Sequence, residues 1–157
     1  MKKIIACLIV IFTCSLCASL ASAHMPSATA DGLWKKISKE SSYKNWSFWP
    51  DHKGMQPGRA PHGPFHKVYV NDQALTSEHV PGHYGAIVVK ENYGKDKKLK
   101  AITVMYKVQD ANPVAGDWLW AKYSPSGKAA KFGKVRGCIN CHSARADNDY
   151  IFVHELQ

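Results

Sequence analysis

Outside its first 23 residues the chain has only two cysteines, Cys138 and Cys141, too few for a disulfide framework and without the second pair that a structural zinc site needs. No acidic residue occurs from Trp118 through Gly137, so a carboxylate base is missing from that whole stretch. No apolar run reaches the roughly 20 residues a membrane-spanning helix requires. The first comes closest, from Ile4 to Cys17, but Thr13, Cys14 and Ser15 interrupt it. There is no internal repeat and no sign of a second domain. What remains is 157 residues, 45% hydrophobic and 21% charged, the composition of one globular domain rather than a disordered tail.

The N-terminus reads as an export signal. Lys2 and Lys3 precede the apolar run, and Ala21, Ser22 and Ala23 form the small-x-small pattern cleaved by signal peptidase. Residues 1–23 are therefore expected to leave, taking Cys7, Cys14 and Cys17 with them. The product, residues 24–157, is expected in the periplasm with no membrane anchor. Its loss of Lys2 and Lys3 lowers the net charge from +9 to +7. That excess fits an acidic protein partner; no nucleic-acid partner is expected.

The surviving cysteines form C-x-x-C-H: Cys138, Ile139, Asn140, Cys141, His142. This is the attachment signature of a c-type haem. Two thiols three positions apart on a helical turn reach both vinyl groups of one porphyrin, and the following imidazole then lies under the iron. An export signal agrees with it, because c-type haem is attached outside the cytoplasm. A thioredoxin-like pair would open a helix after the first strand of an α/β domain, whereas this pair lies 15 residues or so from the end of the chain.

Between the two signals the pattern predicts an α+β fold, mainly an antiparallel sheet of about five strands. Asp31 is placed to cap a short helix over residues 32–39, with Leu33, Trp34 and Ile37 on one face. Residues 41–64, with four prolines, read as an irregular segment suited to walling a haem pocket. Strands are expected at 66–71, 84–91, 101–108, 117–123 and 151–154. The lysine-rich turn at 92–100 reads as a solvated hairpin tip. Met55 and Met105 are read as loop and packing residues rather than iron ligands. A helix or turn carrying the haem motif closes the domain. Lys90 shares a face with Ala86 and Val88, an inward-pointing lysine on an apolar strand face, and Glu91 should point the other way.

Several segments in order carry a resemblance. They are Tyr43 with Trp46, Gly58-Arg59-Ala60-Pro61, Val68-Tyr69-Val70, Val89-Lys90-Glu91, Gly116-Asp117-Trp118, Cys138 to His142, and Asp149-Tyr150-Ile151-Phe152. Together they resemble the cytochrome P-460 family, which includes the cytochromes c′-beta. The resemblance implies an exported, homodimeric, sheet-based cytochrome holding one haem c with an open sixth coordination position. It implies Cys138 and Cys141 as thioether donors, His142 as the iron ligand, and Lys90 as the lysine that in one branch bonds to the porphyrin edge. It places His66 at a distal polar position as a catalytic candidate, to hydrogen-bond a ligand on iron or to shuttle protons as a base, with Phe65 and His62 as further lining. The implied chemistry is binding or oxidation of small nitrogen species, hydroxylamine or nitric oxide, with electrons passing to a partner protein. A c′-beta-like binder without turnover and a simple electron carrier are the alternative readings. Hydroxylamine-oxidising relatives carry a carboxylate shortly before the haem motif, where this chain has Gly133, Lys134, Val135, Arg136 and Gly137.

Overall fold

A computed structural model describes residues 25–157; the expected signal peptide lies outside the described residues. Six strands form one antiparallel meander: β1 (Gln56–Pro57), β2 (Phe65–Val70), β3 (Ile87–Tyr93), β4 (Leu99–Lys107), β5 (Trp118–Tyr123) and β6 (Ala129–Gly133). Each strand pairs with the next in sequence, so no crossover connection is needed. Helix α1 (Ala30–Lys35) precedes the sheet, α2 (Asp72–Leu75) follows β2, and α3 (Arg136–His142) carries the C-x-x-C-H motif. Among the described residues no helix is long and apolar enough to cross a membrane.

Period-two alternation divides the sheet into two buried faces. Tyr69, Ile87, Val89, Ile102, Val104, Tyr106, Ala121 and Tyr123 pack with Leu33 and Ile37 of the N-terminal helical segment. Val68, Val70, Val88, Met105, Trp118 and Trp120 look the other way, toward Trp49, Cys138, Ile139 and Ile151. The first face makes an ordinary core. The second forms the site.

Three expectations need correction. The helix starts two residues earlier, because Thr29, in extended geometry, accepts a hydrogen bond from the Gly32 amide at 3.1 Å. Asp31 sits within the first turn, where its charge suits the helix N-terminus without capping it. Residues 151–154 are not a strand: Asn148 Nδ2 donates to the carbonyls of Ile151 (2.8 Å) and His154 (2.6 Å), satisfying backbone groups that a ladder would have used. The strand count is instead completed by β1 and β6. The β6 residues Ala129, Ala130 and Lys131 are exposed and poor in β-formers, and their pairing with β5 comes from the hairpin turn at Ser124 to Lys128.

A buried ion pair ties the tail to the sheet. Lys107 Nζ lies 2.7 Å from Asp149 Oδ1, both side chains almost wholly buried, and it also donates to the Gly116 carbonyl at 2.6 Å. Asp149 Oδ2 accepts from the Gly82 amide at 3.0 Å. Asp149 and Tyr150 both have positive φ, 50° and 65°, a costly backbone for residues with side chains. The ion pair and the Trp118 Nε1 hydrogen bond to the Asp149 carbonyl hold them there.

Candidate haem site

The second sheet face is the floor of a cavity of about 820 Å³, within the size range of cofactor sites. Val68, Val88, Lys90, Thr103, Met105 and Trp120 line that floor. The ladder explains the grouping: Lys90 is paired with Val68 and Thr103, and Met105 with Val88 and Trp120. The irregular segment before β2 forms a wall through His52, Arg59 and His62, as its composition suggested. Helix α3 and the tail close the other side with Cys138, Cys141, His142, Ile151 and Phe152.

On α3, Cys138 and Cys141 are three positions apart and both line the cavity as free thiols. Burial raises the Cys138 thiol pKa. The His142 ring faces the same space, edge-on to Phe152 at 5.2 Å and to Trp120 at 6.3 Å between centroids. Its Nδ1 lies 2.8 Å from the Tyr150 carbonyl oxygen. A carbonyl only accepts, so Nδ1 carries the proton and Nε2 keeps a free lone pair. Burial lowers the imidazole pKa, and Lys90 adds to the effect, so the ring stays neutral. A neutral imidazole fixed through its other nitrogen is how proteins present a metal ligand.

Lys90 projects into this cavity beside Val88, while Glu91 points to the opposite face and is fully buried there. Burial first, and then the Arg59 charge, bring the Lys90 amine down to about 8. At pH 7 about a tenth of it is therefore the neutral, nucleophilic amine, far more than for an ordinary lysine. Burial and the nearby Lys90 charge push His62 down to about 4, and they act on His66 in the same way, also to about 4.

His66 and His62 reach the cavity, but Phe65 does not. Phe65 precedes His66 on β2 and so faces the other side, where Lys97 Nζ stands 5.7 Å from its ring. The expectation that Phe65 lines the haem pocket is corrected by strand alternation alone. Met105 packs in the floor of the site, and Met55 is exposed. His52 and Trp120 join the site without a sequence signal that assigns them to it. His52 comes from irregular chain without periodicity. Trp120 was legible as a face-mate of Trp118, yet its distance from Lys90 depends on the order of three strands.

The residues suit an iron porphyrin. The lining combines apolar side chains from the floor and tail with four cationic ones, Arg59, Lys90, Lys122 and Lys131, which match a ligand bearing carboxylates. Trp120 Nε1 is buried without a hydrogen-bond partner in the protein, a donor aimed at nothing the chain supplies. Among the described residues no three His, Cys, Asp or Glu side chains converge on a bare-metal site, and His142 by itself would need a macrocycle to complete the coordination.

A six-stranded meander whose inner face, together with a C-x-x-C-H helix, encloses a cavity of this kind defines a haem-binding cytochrome. The family model for cytochrome P-460 matches residues 40–153, well over half of the chain, and the protein belongs to that family. A search of curated proteins found no match.

Proposed function

We propose that the protein is a periplasmic monohaem c-type cytochrome with an open iron position that binds small nitrogen ligands such as nitric oxide or hydroxylamine. Cys138 and Cys141 would hold the haem through thioethers, with His142 as its protein axial ligand. The observation that carries this reading is the His142 ring, locked by the Tyr150 carbonyl with its bare Nε2 in the same cavity as both thiols and Lys90. Haem, when bound, supplies the ligand-binding and one-electron chemistry. The chain's share is to orient the imidazole, exclude water with Val68, Val88, Met105 and Phe152, and offer a few polar groups to the ligand.

Binding is favoured over hydroxylamine oxidation by the state of the carboxylates. Asp51 and Glu155 are the acidic residues lining the cavity, and each is engaged: Asp51 with His154 at 3.0 Å, Glu155 with Arg145 at 2.6 Å. Both side chains are mostly exposed, 54% and 72%, so neither is a carboxylate held inside the cavity as a base for a nitrogen substrate. The reading includes removal of residues 1–23, a homodimer, and an electron-transfer partner attracted to the basic surface.

The test is expression in a host that matures c-type cytochromes. The expected product has the mass of residues 24–157 plus one haem, a high-spin ferric spectrum and a stable nitrosyl complex. It shows little turnover of hydroxylamine with an artificial acceptor. Colourless protein, or an iron already saturated by a second side chain, overturns the proposal. A tryptic haem peptide joining the Lys90 segment to the Cys138 to His142 segment would establish the additional lysine bond; separate segments would establish its absence.

A further inference from the structure

We infer that His52, held in place by His66, is a hydrogen-bond donor that this cavity offers to a bound molecule. His66 is then a positioning residue that does not touch the ligand. The inference rests on the haem-site reading above.

His52 Nε2 and His66 Nε2 are 2.8 Å apart. The ring planes differ by 15° and the centroids are 5.0 Å apart. An in-line hydrogen bond of that length, with about 1.1 Å from nitrogen to ring centre on each side, gives about 5 Å. The two imidazoles therefore lie end to end in nearly one plane, joined by a well-aligned hydrogen bond.

One of the two Nε2 atoms carries a proton and the other is bare. His66 is only 4% exposed, and its Nδ1 is sealed from solvent and has no partner. Gly58 closes over it: a Cβ at that position would stand 3.0 Å from Nδ1. A proton on His66 Nδ1 would be a buried N–H without an acceptor, the rarer fault in folded proteins and a cost of about 1–3 kcal/mol. His66 thus holds its proton on Nε2 and donates to bare Nε2 of His52. Neutral His52 must then carry its own proton on Nδ1, at the end away from His66.

His52 lines the cavity and is less buried than His66. Its Nδ1 has no partner among the described residues and is not among the sealed, unpartnered atoms. Burial and the Lys90 charge keep both rings neutral near pH 7, which preserves this proton arrangement. Lys90 and His62 also face the pair, and Asp51 flanks it. The ligand class follows from the chemistry: a small molecule or anion with an acceptor atom, engaged by a fixed neutral N–H.

The test uses the mature haem protein and two probes, carbon monoxide on the ferrous form and fluoride on the ferric form. His52→Leu is expected to move the bound CO stretch to higher wavenumber and to weaken fluoride about ten-fold. Affinity for CO, a poor acceptor, should change less than about two-fold. His66→Gln, which keeps an N–H near Nε2, should retain most of the wild-type stretch and fluoride affinity, and His66→Leu should broaden the CO band as His52 loses its orientation. An unchanged stretch and fluoride affinity in His52→Leu overturns the inference, as does the whole effect appearing in His66→Leu with none in His52→Leu. Failure of the wild-type protein to bind haem or CO overturns the haem-site reading, and the inference with it.

Discussion

The Nδ1 of His142 donates to the carbonyl of Tyr150 across 2.8 Å, and Tyr150 is in position to accept because its backbone is held at a φ of 65°. The adjoining Asp149 is anchored to β4 by Lys107. One buried ion pair thus sets the backbone that orients the candidate iron ligand.

Breaking that pair should be costly. Lys107→Met leaves the Asp149 carboxylate buried without its cation, and the expected loss is about 3–5 kcal/mol. Urea unfolding of the haem protein checks it. Asp149→Asn should also loosen His142, visible as a changed iron spin state or reduction potential.

Acid should destabilise the fold before the carboxylates titrate. His62 and His66 are held near 4, with burial as the first cause, against 6.5 for an ordinary histidine. Between those values the unfolded chain binds protons that the folded chain refuses, so stability falls as pH drops from about 6.5 to about 4. His66→Gln should remove part of that slope in urea midpoints measured across the range.

At alkaline pH the sign is the same. Folded Lys90 gives up its proton at about 8 and the unfolded lysine at 10.5, so the unfolded chain binds more protons in between and stability climbs with pH. Lys90→Met should flatten that climb. It should also be neutral or slightly stabilising at pH 7, by up to about 1 kcal/mol, because it removes a desolvated amine from an apolar site. Thermal melts at pH 7, 8 and 10 check both statements.

On the opposite face, fully buried Glu91 accepts from Tyr43 Oη at 2.9 Å, from Tyr93 Oη at 2.5 Å and from Lys44 Nζ. Burial opposes its ionisation, but these donors outweigh burial and hold its pKa below the usual value. Glu91→Leu strands two tyrosine hydroxyls and is expected to cost about 1–3 kcal/mol or more. Chemical denaturation should show the loss, while the haem spectrum, which reports on the other face, should be unaffected.

The haem motif and most of the sheet were legible in the sequence because their signals are local. Cys138, Cys141 and His142 are neighbours on one helical turn, and alternation along β3 was enough to send Lys90 inward and Glu91 outward. The same alternation on β2 excludes Phe65, since His66 and its neighbour cannot share a face. The sixth strand was hidden because Ala129 to Gly133 pairs through its backbone and buries little.

Residue spacing by itself determined the attachment chemistry and the two-faced sheet, since both depend on side chains a few positions apart. Only the tertiary structure decided which groups meet across the cavity: His52 against His66, Tyr150 over His142, Trp120 beside Met105. Those meetings follow from strand order and loop path, and from a buried Lys107–Asp149 pair joining residues 42 positions apart. No pattern within a single element encodes such a contact, because its energy is realised only when separate elements exclude water together.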